Sequence, residues 1–399
     1  MTRSIPPHLR RLISASAGVR NPGGFAVESA RPDTITSAAA DDILHRIATL
    51  MRQTSSDETG DLNEYRRALG LFLARADKGL RAMLPGSRQS EPDAEMALEA
   101  VIRADGTRPS FLVRQNACDP HHPLAGDWRP LLTANPEVLS LRVAAVGRIQ
   151  PAGGSATNFF GTGWLVDRGQ GLVLTNLHVL LQMWGRLANR MTPDGSGGYS
   201  FLGDAAFIDF AAESGSLERK QFRIVSGSPS GTDGTGFNRL DFAVLRIEPV
   251  SGADASPELP EAIPVIADSD SPNGNTTSFC VVGYPGPPPY TTGIHDKVDW
   301  TWVNRTLFGN RFGVKRLAPG AASTPLGGMA DDPNGWVFGH DATTLGGSSG
   351  SPVLDWINDG TGGVGLHFAG ATNVTNCAHA IIQIRKELTK LGVTVRDPG

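Results

Sequence analysis

Cysteine is scarce in this chain: three among 399 residues, at Cys118, Cys280 and Cys377, far apart and odd in number. No disulfide framework can be built from them, which excludes the stapled secreted scaffolds and points to a reducing compartment. Cys280 lies in the strand-like run Ser278–Gly283, where a buried free thiol is the ordinary expectation. A strong charge of either sign is lacking too. The formal net charge is −4 and the pI about 6.1, so there is no global electrostatic case for nucleic acid or an anionic membrane as a partner. No apolar run approaches the ~18 residues needed to span a bilayer. The N-terminal stretch, with Arg3, Arg10, Arg11 and Arg20, has no apolar core of a secretory signal and matches an organellar transit peptide only weakly. The expectation is a cytoplasmic protein. What the chain has in quantity is glycine (48) and proline (28), with only 19% charged residues, which suits a turn-rich β protein.

Composition and periodicity divide the chain into four stretches. Residues 1–38, rich in Pro, Gly, Ser and Arg, read as a disordered tail. Residues 39–106 carry three amphipathic helix patterns, Ala39–Gln53, Gly60–Leu84 and Glu91–Ala104, whose apolar faces would pack into a small helical module. That module holds no catalytic set; its default role is partner binding or regulation, and the alternative is a structural cap packed on the rest of the chain. Residues 107–139 read as a linker. In it Cys118, Asp119, His121 and His122 suggest a metal site, but no second cluster completes a zinc set, so neither metal nor cofactor is expected. From 140 to 399 the period becomes strand-like, with Leu141–Ile149 as the first strand and a helix over Gln383–Leu391 near the end.

Three short runs in this last stretch carry chemistry. Gly346-Gly347-Ser348-Ser349-Gly350-Ser351-Pro352 sets Ser349 between glycines. A serine hydroxyl needs a base to take its proton and fixed donors to hold the developing oxyanion. Glycine before the serine lets the Gly347 and Ser349 N–H groups converge, and glycine after it leaves room for a carbonyl. Upstream, Gly171–Leu180 reads as an apolar strand ending near His178, a residue suited to proton transfer at neutral pH. Between them, Arg239–Ile247 places Asp241 in an otherwise apolar strand, where a carboxylate needs a donor such as an imidazole N–H.

With GTGW at 161–164, TNLHV at 175–179, DFAVL at 241–245, GGSSGSPV at 346–353 and GLHF at 365–368, the chain resembles the trypsin-like serine peptidases. Within them it is most similar to the bacterial branch that includes glutamyl endopeptidases. The resemblance covers about the last two-thirds of the chain. It implies a mainly β, chymotrypsin-like fold: two six-stranded-type antiparallel β-barrels and a C-terminal helix, here preceded by the small α-helical domain. It implies a serine endopeptidase acting on protein or peptide substrates, with His178, Asp241 and Ser349 as the triad, Gly347 and Ser349 as the oxyanion hole, and Thr344 and His367 receiving an acidic side chain at the residue before the cleaved bond (P1). The pairing of a helical module with such a peptidase resembles bacterial effector-associated architectures.

Three departures qualify the resemblance. Ser348 stands where trypsin has the aspartate that pairs with its freed N-terminus. Thr343 stands where trypsin has the acid that selects basic residues, and the usual disulfide cysteines are missing. The alternative reading is a catalytically silent scaffold that keeps the barrels and binds extended peptides along a strand edge.

Overall fold

The computed structural model describes residues 108–398, apart from position 196 and the stretches 232–239, 251–256, 274–277, 288–291, 296–297, 330–331, 357–361 and 372–374. The expected tail (1–38) and helical module (39–106) lie outside the described residues. The chain divides into two units, residues 1–107 with 290–307, and residues 108–289 with 308–399. In the first unit the described part includes a hairpin, Ile294–His295 with Val298–Asp299, running into the turn of helix Trp300–Trp302 and then Val303–Leu307. The Asp299 carboxylate caps that turn by accepting the Trp302 N–H at 3.1 Å.

The second unit holds two closed antiparallel barrels. In the first, β1 (Val146–Pro151), β2 (Gly161–Asp167), β3 (Leu172–Thr175), β4 (Ala206–Asp209), β5 (Gln221–Pro229) and β6 (Ala243–Pro249) run in the order β6-β3-β2-β1-β4-β5, and β5 pairs with β6 to close the ring. Closure lets every strand bury one face without leaving an open edge. Ile149, Leu165, Val173, Ile208, Ile224 and Leu245 fill the interior, while Trp164 and Leu174 lie on the opposite face of their strands. In the second, β7 (Ser278–Gly283), β8 (Arg316–Thr324), β9 (Val337–His340), β10 (Pro352–Asp355), β11 (Gly363–Ala371) and β12 (Thr375–Ala380) run in the order β7-β10-β11-β12-β9-β8, closed by β7 against β8. Trp164 fills the space beside Gly363 of β11; a Cβ there would fall 2.5 Å from its ring. The barrels are thus packed together through an indole seated on a glycine.

Several elements differ from the sequence expectation. Leu141–Ile149 is not one strand: α1 (Pro136–Ala144) precedes β1, with Pro136 at its first turn and Leu139 and Val143 buried on one face. Proline is preorganised for that position, and the i, i+4 spacing is helical. Residues 107–139 are more than a connection. The hairpin Phe111–Arg114 with Ala117–Cys118 pairs antiparallel with β8, Phe111 opposite Leu317. Cys280 is fully buried in β7 as expected, and all three cysteines are free thiols. Near the C-terminus, α2 (Ile381–Lys390) follows β12 and buries Ile384 and Leu388 together with Ile381.

Candidate active site

The apolar run around His178 is not one strand. β3 ends at Thr175 and the chain turns into a helix, Leu177–Leu187, with His178 in its first turn. Leu177, Leu180 and Met183 face the barrel with Val179, a three-to-four-residue recurrence that a strand cannot satisfy. His178 points the other way, its side chain 47% exposed. Asp241 lies not inside a strand but two residues before β6 begins. Its Oδ2 is 2.6 Å from His178 Nδ1, and its Oδ1 accepts the His178 backbone N–H at 2.8 Å. Burial would push the Asp241 carboxyl up. The hydrogen bond from the His178 ring, the nearby imidazole and the backbone N–H outweigh that and hold it below its ordinary value. Asn176 completes the cluster by donating its side-chain amide to the Asp241 carbonyl at 2.8 Å.

Ser349 is placed by backbone bonds and glycines. Ser348 N–H donates to the Leu345 carbonyl at 3.0 Å, with Gly347 at φ +92° as third residue of that turn. Ser351 N–H donates to the Ser348 carbonyl at 3.0 Å, with Gly350 at φ +88° in the same place. Turns of this kind need a positive φ at their third residue, which glycine supplies without strain. The Gly346 carbonyl accepts from Gly286 N–H at 2.6 Å. A planar trans peptide therefore points the Gly347 N–H away from Gly286. Among the described residues, neither the Gly347 nor the Ser349 N–H donates to a backbone carbonyl.

The GTGW strand holds this loop. Thr162 N–H donates to the Ser349 carbonyl at 2.9 Å, and Thr162 Oγ1 donates to the Gly347 carbonyl at 2.8 Å. Thr175 Oγ1 in turn donates to the Thr162 carbonyl at 2.7 Å. A Cβ on Gly161 would meet Val179, the neighbour of His178, at 2.8 Å and the Ser349 carbonyl oxygen at 3.1 Å. The helix that carries His178 and the loop that carries Ser349 therefore converge on Gly161, from opposite barrels.

Behind the loop lies a set of buried imidazoles. His367, on β11, is 3% exposed; its Nδ1 is 3.2 Å from Nε2 of His340, on β9. Burial pushes His367 well below the usual histidine range, with His340 and His178 adding to the effect, so its ring is neutral at pH 7. Burial likewise lowers His340 to about 3. The Thr344 hydroxyl donates to the Asn376 side-chain carbonyl at 3.0 Å, and the Thr343 hydroxyl donates to the Arg108 carbonyl at 2.5 Å. Ser348 is 3% exposed.

The motifs single out His178, Asp241 and Ser349, but not the contacts that hold them. Asn176, Thr162 and Thr175 were in the quoted motifs, but their roles depend on contacts that only the closed barrels create. His379, whose Nε2 accepts the Asp241 backbone N–H at 3.0 Å, left no local signal. The thiols are poor competitors for nucleophile: burial pushes Cys118 up to about 12 and Cys377 up to about 11. Among the described residues no group of three or more His, Cys, Asp or Glu could hold a metal ion, and no helix is long and apolar enough to cross a membrane.

Two closed antiparallel barrels in this arrangement define a chymotrypsin-like fold. Residues 161–361 match the model of the trypsin-like peptidase domain. A Lysobacter enzymogenes protein, named a probable serine protease, is 38% identical over 388 residues, covering 96% of this chain and 97% of that protein. Among solved structures, a serine-to-alanine mutant of Rv3671c from Mycobacterium tuberculosis in its inactive form is 19% identical, with a TM-score of 0.35, over 66% of this chain and 94% of that chain. The Rv3671c protease in its inactive form is 18% identical, with a TM-score of 0.33, over 66% and 96%. The chain belongs to the trypsin-like peptidase family and is a serine peptidase.

Proposed function

We propose that this serine peptidase cleaves peptide bonds with Ser349 as nucleophile, His178 as general base and acid, and Asp241 as the group that orients and stabilises the imidazole. The observation that carries the reading is the His178–Asp241 pair at 2.6 Å on the helix that meets the Ser349 loop at Gly161. His178 Nε2 takes the Ser349 proton as Oγ attacks the peptide carbonyl, forming the C–O bond. The carbonyl oxygen becomes an oxyanion received by the Gly347 and Ser349 N–H groups. His178 then protonates the leaving amine as the C–N bond breaks, and water repeats the cycle on the acyl-enzyme, releasing the carboxylic acid and restoring Ser349. Ser349→Ala should lower kcat on a peptide substrate by roughly 10⁴-fold or more, leaving KM little changed. Undiminished turnover in that variant would sink the assignment.

The finer reading is a preference for an acidic residue at P1, received by Thr344 and His367. A neutral imidazole N–H and a hydroxyl can each donate to a carboxylate. The Thr344 hydroxyl must first leave Asn376. A digest of a mixed peptide library should be enriched in cleavage after Glu and Asp; the same frequency after Ala and Leu would reject this preference while leaving the chemistry in place.

A further inference from the structure

Asp241 is held at four points. Three come from its own barrel: the His178 ring, the His178 N–H and the Asn176 amide. The fourth comes from the other barrel. The Asp241 backbone N–H donates to Nε2 of His379, on β12, at 3.0 Å. A ring nitrogen that accepts carries no proton, so the proton of neutral His379 is on Nδ1. Nδ1 is buried and has no hydrogen-bond partner among the described residues. The ring itself is fully buried and stacks on Phe368, with centroids 4.3 Å apart and planes 11° from parallel.

An apolar side chain would suit such a place better if packing were its only purpose, because burying an unpaired N–H is unfavourable. What the imidazole supplies, and a phenyl ring would not, is an acceptor aimed at the Asp241 backbone. Asp241 needs one. It sits ahead of β6, outside the ladder that would otherwise pair its N–H, and its carboxylate must stay within hydrogen-bond reach of His178.

We propose that His379 is a positioning residue for the peptidase reaction: its Nε2 ties the backbone of Asp241, and through it the His178 ring, to the barrel that carries Ser349. The proposal rests on the reading of Ser349, His178 and Asp241 given above. Burial holds His379 at about 4, with Asp241 and Asp332 as the charged groups that oppose the shift, so the ring remains an acceptor at neutral pH.

The test compares His379→Leu, which has no acceptor, with His379→Gln, whose side-chain carbonyl can accept, both in the full chain. His379→Leu should lower kcat by about tenfold to a hundredfold, as small misplacements of reacting groups do. KM should stay within about twofold, and the acidic limb of kcat/KM should move to lower pH as the imidazolium loses its aligned carboxylate. His379→Gln should recover most of kcat. Added to Asp241→Asn, His379→Leu should cost little more, because both act through the same carboxylate. An unchanged kcat and acidic limb in His379→Leu overturns the proposal, and so do equal losses in the Leu and Gln variants, which would mark a packing role. If His379→Leu fails to fold, His379→Phe replaces it, and the downfield proton resonance of His178 Nδ1–H gives a readout independent of turnover. A resonance that does not move overturns the proposal. Ser349→Ala and Asp241→Asn run alongside: if these keep full turnover the underlying reading falls, and if they lose it while His379→Leu does not, the His379 proposal alone falls.

Discussion

The two barrels place their share of the site by different means. The first uses side chains: Asp241 grips His178 at two points, and Asn176 grips Asp241. The second uses the backbone: Ser349 is set by two successive turns whose glycines stand at φ +92° and +88°, and by carbonyls pinned to Thr162 and Gly286. Side-chain bonds can be removed one at a time with the fold left standing. A backbone loop pinned by glycine against carbonyl oxygens cannot be edited without moving it. The first half of the site should therefore lose function without stability, and the second half should lose both.

The sharpest way to break this contrast is Asp241→Asn. The two side chains are nearly isosteric, but the amide favours the wrong imidazole tautomer, so kcat should fall by roughly 10⁴-fold. The melting temperature should change little, and a large loss of stability would blur the distinction between the barrels. Next comes Gly350→Ala. Its Cβ would fall 2.1 Å from the Thr162 carbonyl oxygen, at a φ that side chains rarely adopt. The variant should lose roughly 2–4 kcal/mol of stability as well as activity. Gly346→Ala is the control on the same loop. Nothing lies within 4 Å of its Cβ, so its stability should stay within about 0.5 kcal/mol of the parent in urea unfolding.

The broadest effect, shared among several residues, is on acid stability. The second barrel buries His340, His367 and His379, lowered from 6.5 to about 3, well below 6.5 and about 4 respectively. Between those values and pH 6.5 the unfolded chain binds more protons than the folded chain, so stability rises with pH. It is complete above pH 6.5 and is lost as the pH falls towards 4. Urea midpoints measured from pH 7.5 to 4.5 should therefore fall steadily, and His340→Phe should flatten the slope. A flat profile would mean that these rings protonate in the folded chain.

Much of the candidate site was legible in the sequence because the three side chains proposed to react sit in short runs with a chemical reason for each neighbour. Ser349 needs its glycines, and those glycines are adjacent in the chain. The local geometry was harder to read. Leu177, Val179 and Leu180 suit a buried strand or a buried helix face equally well, and only packing of Met183 on the same face decides for the helix. Leu141–Ile149 hid a helix end and a strand start in one apolar run, with Pro136 as the overlooked start signal. The buried imidazoles were least legible. His379 lies 138 residues from Asp241, and no pattern near either residue announces their bond. It exists because closing two barrels brings β12 to the foot of β6.

Labelling with a fluorophosphonate, followed by mass-spectrometric mapping of the modified peptide, asks whether Ser349 is the nucleophile served by His178. A single adduct on Ser349 is expected, and it should disappear in His178→Ala. An adduct on another residue, or none at all from a chain that still cleaves peptides, would contradict that assignment.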